Sequence, residues 1–393
     1  MLTKLRDRTV YLEPYGLKRV FPDLKGHEAS NYRDTFDAST LFYDVFRSHD
    51  GRHIIMVGPK PLGFEEKLLK AKFFQGDKLL RARHRKLKQV HEVWIKVSPD
   101  QEIAVIDVEI NGTHGQLEVS PNPSRDFKGK RVLSTLCKDT PVPWILDWLR
   151  FHVTNHGVDA LVLFENSEDP AHADDIHQAI LQENLKISVE IVHAPFKYGP
   201  PKLHAVKFLQ RSLLQLLRWK YVQPSEALLF CDVDEFVVCQ DGKSIFDGLK
   251  KSFLGYFLIP GVWVEPVTQT DQSQLKTLGD RRHHMFQHTM DPPKETHRKW
   301  VAAPSRIPKS IQFKAHGVRP EPKYAAWLHP FFTRQKPYLK TSKLFHFRAM
   351  STSWKSDREA ISPVSSDKHS LHKDLNTACE TAFPHLAKVR EPS

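Results

Sequence analysis

The chain has 393 residues, 40% of them apolar and 10% aromatic, with a formal net charge of +12. This length leaves room for about two domains, and the composition suits a globular protein with a substantial core. No stretch approaches the roughly 18 to 20 consecutive apolar residues of a membrane-spanning helix, and the basic start Met1–Arg8 has no apolar run behind it, so neither a span nor a signal peptide is expected. The four cysteines, Cys137, Cys231, Cys239 and Cys379, show no Cys-x-x-Cys spacing, so a reduced, cytoplasmic protein is expected, soluble or peripheral on a membrane.

Residues 1–40 read as an irregular segment broken by Pro14, Gly16, Pro22 and Gly26. Residues 41–127 read as a small antiparallel β-domain. Strands are expected at 52–57, 90–97, 102–110 and 116–119, with Asn111-Gly112 as a hairpin turn. Within this region Lys78–Lys88 carries much of the positive charge. It reads as a solvated face, or as a contact for an anionic membrane or polyanionic substrate. No nucleic-acid module accompanies it, and no nucleic-acid partner is expected. Pro121-Asn122-Pro123-Ser124 reads as a linker.

From 128 to 355 the rhythm changes to alternating strands and helices. Strands are expected at 131–136, 159–164, 187–192 and 227–231, and helices at 144–156, 173–183 and 202–220. This alternation predicts right-handed βαβ units and a mostly parallel, Rossmann-like sheet. There is no Gly-x-Gly-x-x-Gly and no Walker A motif, which argues against dinucleotide and P-loop sites. Residues 356–393 read as a polar tail.

The strand Ala227–Cys231 ends in Asp232-Val233-Asp234-Glu235-Phe236. Ligands bind at the carboxyl ends of strands in open α/β sheets. Three carboxylates in four residues repel one another unless a cation sits among them. Oxygen ligands suit hard divalent ions such as Mn2+ or Mg2+, which bridge to substrate phosphates. The bland reading is an acidic turn after a core strand.

Several further segments fall in order around this motif: Lys138-Asp139, Trp144-x-x-x-Trp148-Leu149-x-x-His152, Gly157-Val158-Asp159, Asn166-Ser167-x-Asp169, Arg298-Lys299-Trp300 through His316-Gly317-Val318, and Lys343-Leu344-Phe345-His346-Phe347-Arg348-x-x-Ser351. Over about 131–355 the chain resembles the family 92 and family-2-like glycosyltransferases. The resemblance implies a GT-A catalytic domain, a nucleotide-diphospho-sugar donor, a divalent metal and a glycan or glycolipid acceptor, as in building a surface polysaccharide. The β-rich region resembles the accessory part that precedes the catalytic domain in some relatives. The chain departs from the pattern at Lys138-Asp139-Thr140, where Asn-Glu or Asp-Glu is usual, at Asp147, where Glu is usual, and at Phe347, where Tyr is usual.

On this reading Asp234 is the direct metal ligand, Asp232 binds ribose or reaches the metal through water, and His346 is a third ligand. Glu235 either ligates or orients a neighbour. Arg348 and Lys202 neutralise phosphate oxygens. Asp139 and Asn166 lie where the nucleoside belongs, with a helix cap as the alternative use of Asp139 and of Asp169. Inversion needs a carboxylate base on the acceptor side. Glu265 is the first candidate, with Asp271 and Asp280 as rivals. Trp263 and Trp300 suit sugar stacking or core packing, and His283-His284-x-x-x-His288 is a weak transition-metal pattern. Two other classes remain open: a haloacid-dehalogenase-type phosphatase, which wants Thr or Val where Phe236 stands, and a non-catalytic basic glycan- or membrane-binding module.

Overall fold

A computed structural model describes residues 1–22, 32–200, 206–240, 242–320, 339–351 and 360–384. Its centre is a nine-stranded mixed sheet. In chain order the strands are β1 (Leu2–Lys4), β2 (Arg131–Cys137), β3 (Ala160–Glu165), β4 (Ser188–His193), β5 (Ala227–Phe230), β6 (Glu235–Cys239), β7 (Tyr256–Val264), β8 (Glu295–Ala302) and β9 (Ser342–Phe347). The spatial order is β1-β4-β3-β2-β5-β8-β7-β9-β6. From β1 to β5 every pairing is parallel. Beyond β5 the pairings are antiparallel except β7 with β9.

The central parallel strands are largely buried, β3 up to Phe164 and β5 with apolar residues throughout, because both sheet faces are covered. Leu133, Leu161, Leu163 and Leu229 face one core, with helix α1 (Val142–His156), helix α2 (Pro170–Gln182) and a C-terminal helix α4 (Lys373–Ala382). Val132, Val162, Phe164 and Leu228 face the other, with helix α3 (Leu209–Leu216) and the wide turn Leu217–Val222 that continues it. Helix α1 stops at Gly157, whose φ of +65° makes it a left-handed cap. The expected helix over 202–220 thus begins at Leu209 and loosens after Leu216, and residues 201–205 lie outside the described residues.

The β-rich region folds as expected into antiparallel strands, but as two four-stranded sheets. Asn111-Gly112 forms the two-residue turn, with Ile110 paired to Thr113 and positive φ at both turn residues. The strand His53–Pro59 is buried on both sides: Ile54 and Met56 pack into the sandwich, whereas Ile55 and Val57 belong to the same core as Leu213, Trp219 and Val222. One continuous core therefore joins this region to the large sheet. Lys220 bonds Asp44 at the same junction, both fully buried, and Glu92 accepts from the indole nitrogens of Trp94 and Trp219.

Two terminal expectations are corrected. Residues 1–40 are not irregular throughout, because Leu2–Lys4 pairs with Ile191–His193 as an edge strand. The segment after 356 is not merely a polar tail, because Leu375, Ala378, Cys379 and Phe383 are buried in the core beside α1. The basic run forms the edge strands Lys78–Leu80 and Ala82–Lys86. Within it Arg85 pairs with buried Glu92, and Lys86 with Glu65. Charged edges of this kind discourage strand-to-strand association.

Candidate active site

The large sheet changes direction beside β5, and the acidic motif lies at that strand's carboxyl end. Asp232 to Asp234 form the turn between β5 and β6, closed by a 3.1 Å bond from the Glu235 amide to the Asp232 carbonyl. Strand β6 pairs with β9 so that Glu235 lies opposite His346, and β9 pairs with β7 so that His346 lies opposite Trp263. Glu235, His346 and Trp263 thus form a row across three adjacent strands. Segments far apart in the chain meet because cross-strand partners share a face.

His346 Nε2 is 3.1 Å from Asp234 Oδ2, and His346 Nδ1 is 3.6 Å from Glu235 Oε1. The three side chains can bring one donor atom each within 4.8 Å of the others. Lys299, on β8, is fully buried and reaches Asp232 Oδ2 at 2.6 Å and Glu235 Oε2 at 3.2 Å. Glu235 Oε2 also accepts the Asp232 amide at 2.8 Å.

The charges respond accordingly. Burial works to raise the Asp234 pKa, but His346 and Lys299 outweigh it and hold the carboxyl below its usual range. Burial and the neighbouring Asp232 and Asp234 push Glu235 up to about 7 despite Lys299 and His346. Burial disfavours the imidazolium of His346, yet Asp234 and Glu235 raise its pKa. Burial likewise works against the Lys299 ammonium, and Asp232 and Glu235 more than restore it.

The other sequence-derived candidates divide. Glu265 follows β7 immediately, two residues past Trp263, and is nearly buried. Its Oε2 is 3.7 Å from Arg348 Nε, and its Oε1 has no hydrogen-bond partner among the described residues. The Arg348 guanidinium lies 4.8 Å from the centre of the Trp263 ring, and the His346 ring lies 4.2 Å from it between ring centres. Glu265, Arg348, Trp263, His346, Asp234 and Glu235 therefore form one connected group. Trp300, by contrast, is a core residue whose Nε1 donates to the Lys314 carbonyl.

Asp271 and Asp280 serve local turns instead. Both are exposed, and both cap local turns: Asp271 accepts from Ser273, and Asp280 closes a capping box with Thr277. Asp169 caps α2 by accepting from the Ala171 amide. Asp139 does not cap α1, where Pro141 holds the cap position; its side chain is exposed at the carboxyl end of β2, with a left-handed φ of +49°. Asn166 is buried and gives both amide protons to the Ala194 and Phe196 carbonyls, a loop-bracing use in place of a nucleoside contact by that amide. Lys202 lies outside the described residues.

His283 also has a structural use. Its Nε2 donates to the Val233 carbonyl at 2.9 Å, and its Nδ1 is 3.8 Å from Asp147, which is bound to Arg282. Helix α1 and the 282–283 segment thereby steady the acidic turn from behind. None of His283, His284 and His288 joins a metal-ligating group among the described residues. Two features beyond the assigned roles stand out. Lys299 is the last of the polar residues of β8 before its apolar end Trp300-Val301-Ala302, yet it is buried where Arg298 beside it is not, and nothing local in the sequence set it apart from its polar neighbours. Tyr198, on the loop after β4, is 36% exposed as a residue, yet its hydroxyl is pushed up to about 12 by local desolvation and by the charge of Asp232, and nothing local in the sequence singled it out.

No family model matches the chain, and no curated protein matches it in sequence. Among solved structures, the apo form of the bifunctional glycosyltransferase WbbM aligns at 11% identity with a TM-score of 0.27, over 49% of this chain and 36% of that one. The mannosyltransferase Ktr4p from S. cerevisiae aligns at 12% identity with a TM-score of 0.23, over 39% of this chain and 43% of that one. The chain spans less than half the length of either. The functional assignment rests on the residues of the site itself.

Proposed function

We propose that this protein is a metal-dependent glycosyltransferase of the GT-A type, moving a sugar from a nucleotide-diphospho-sugar to a glycan or glycolipid acceptor with inversion. The observation that carries this reading is the convergence of Asp234, Glu235 and His346 at the carboxyl end of β5, in the crevice position that α/β sheets use for ligands. Two carboxylates and an imidazole suit Mn2+, and less closely Mg2+. The fit is supported by His346 Nδ1, which is buried without a hydrogen-bond partner among the described residues. Asp234, His346 and Glu235 are the residues to hold the ion, and Asp232 stands beside them. When bound, a divalent cation supplies positive charge to the departing nucleoside diphosphate.

The chain's own groups account for the rest of the chemistry. Glu265 takes the proton of the acceptor hydroxyl as that oxygen attacks the anomeric carbon, opposite the bond that breaks to the diphosphate. Arg348 sits beside Glu265, with Nε 3.7 Å from Oε2, and orients the carboxylate. The half-buried Trp263 offers an apolar face of the kind that stacks on sugars. We assign Asp139, exposed at the end of β2, to the nucleoside. A cytoplasmic setting, with exposed residues of the 78–88 run touching an anionic membrane, completes the proposal. Binding to anionic vesicles that high salt releases supports that contact; salt-insensitive or absent binding removes it.

The phosphatase reading fares less well. It calls for Thr or Val at position 236, where buried Phe236 stacks between Phe151 and His283. A purely basic binding module gives no reason for a carboxylate–imidazole cluster. The deciding experiment is a thermal-shift screen of nucleoside diphosphates with and without Mn2+, on wild type and Asp234→Asn. Stabilisation by one nucleotide that requires both Mn2+ and Asp234 is the expected result. Nucleotide binding indifferent to both overturns the reading.

A further inference from the structure

The acidic turn already contains a cation. Lys299 is 1% exposed, and its ammonium touches one oxygen of Asp232 at 2.6 Å and one oxygen of Glu235 at 3.2 Å. A lysine ammonium is a compact point charge with three donors. Here two of its directions point at carboxylates, and its flank faces the Phe230 ring at 5.6 Å. Burial of this charge is tolerable only because it is paired on both sides. The lysine cannot swing away without leaving Glu235, itself 1% exposed, beside two other carboxylates.

The arrangement divides the motif unequally. On the Lys299 side, Asp232 and one oxygen of Glu235 are neutralised from within the protein. On the other side, Asp234, the second oxygen of Glu235 and His346 face one another with no ammonium or guanidinium in direct ion-pair contact among the described residues, and Lys299 reaches Asp234 only as a longer-range charge. We infer that Lys299 is a positioning residue that takes Asp232 out of the metal-binding set, restricting the acidic turn to a single divalent ion on the Asp234–His346 side. This rests on the metal-dependent reading above and goes further by assigning Lys299, and by removing Asp232 from the ligands. Without Lys299, the same turn is more negative by one charge and Asp232 Oδ2 loses its ammonium, while Glu235 Oε2 keeps the Asp232 amide, which favours tighter or additional divalent binding.

The test is a Mn2+ titration of the full chain, followed by the electron-spin signal of free Mn2+, on wild type, Lys299→Met, Asp232→Asn and Asp234→Asn. Wild type is expected to bind one ion. Lys299→Met is expected to bind Mn2+ at least about tenfold more tightly, or to bind a second ion. Asp232→Asn is expected to stay within about threefold of wild type, while Asp234→Asn loses about tenfold or more. A purely structural lysine would alter the melting temperature and leave the titration unchanged. If Lys299→Met binds Mn2+ no better than wild type, or if Asp232→Asn loses Mn2+ as Asp234→Asn does, the inference is wrong. Should Lys299→Met fail to fold, the comparison of the two aspartates decides alone. Binding to Lys299→Met with none to wild type keeps Lys299 as the resident cation and overturns metal dependence; binding to neither overturns both.

Discussion

His346 lies 3.1 Å from Asp234 although 112 positions separate them in the chain. It gets there because β9 runs between β6 and β7, so the imidazole is flanked by Glu235 on one side and the Trp263 ring on the other. A histidine so placed is held by two strands rather than by a loop, which gives a ligand little freedom to relax.

Replacing His346 by Gln removes one candidate ligand while keeping a polar side chain of comparable reach. Mn2+ affinity is expected to fall at least about tenfold, read by calorimetry. Unchanged affinity would show that the imidazole serves the core only.

Glu265→Gln keeps size and polarity but cannot accept a proton from an alcohol. Sugar transfer is expected to drop by about 100-fold or more in kcat, the usual scale for loss of a positioned base. Nucleotide binding should stay unchanged, since the residue contacts Arg348 and not the Asp234 group. The same loss in Asp271→Asn, with Glu265→Gln active, would move the base to the exposed loop.

Acid should destabilise the protein well above the carboxylate range. His156 donates from Nε2 to the Val237 carbonyl and accepts at Nδ1 from the Ile245 amide, so it is built to be neutral. Burial lowers it to about 4. His152 is similarly placed, between the Trp148 carbonyl and the Val237 amide, and is held well below its usual value by burial. A histidine whose folded pKa is lowered is protonated first in the unfolded chain, so stability rises with pH through this window. It is full above about 6.5 and is lost as pH falls toward 4, by about 1.4 kcal/mol per pH unit for each such group. His156→Gln, which can keep both hydrogen bonds, should flatten the denaturation midpoint between pH 6.5 and 4.5. A variant as pH-sensitive as wild type would rule His156 out as a contributor.

The β-rich region should not be removable. A chain starting at residue 128 uncovers Leu213, Trp219 and Val222 and strips buried Lys220 of Asp44. Breaking a buried ion pair on one side costs about 3 to 5 kcal/mol, before the exposed apolar surface is counted. We expect the full chain to melt in one calorimetric transition and the shortened chain to give none. Two separate transitions in the full chain would contradict the shared core.

Local chemistry was enough to read much of this molecule. The short, largely apolar runs ending in Cys137, Phe164, Val192 and Cys231, bounded by breakers and loops, read as strands covered on both faces. Asn111-Gly112 could readily take the positive φ angles of a tight hairpin, and Gly157 could cap a helix where a side chain would be strained. The carboxylates of Asp232, Asp234 and Glu235 announced themselves because adjacent charges need a partner wherever they lie. What the chain could not declare was which partner. That Lys299 is the internal one, that His346 and Glu265 join the same group while Asp271 and Asp280 only close turns, and that Asn166 braces a loop, all follow from strand order and register. Those depend on how the two faces of the sheet bury their surfaces together, a property of the whole core that no short segment encodes. The C-terminal helix makes the same point. Leu375, Ala378 and Cys379 are too few among polar neighbours to signal a buried face, and only the surface offered by α1 makes one of them.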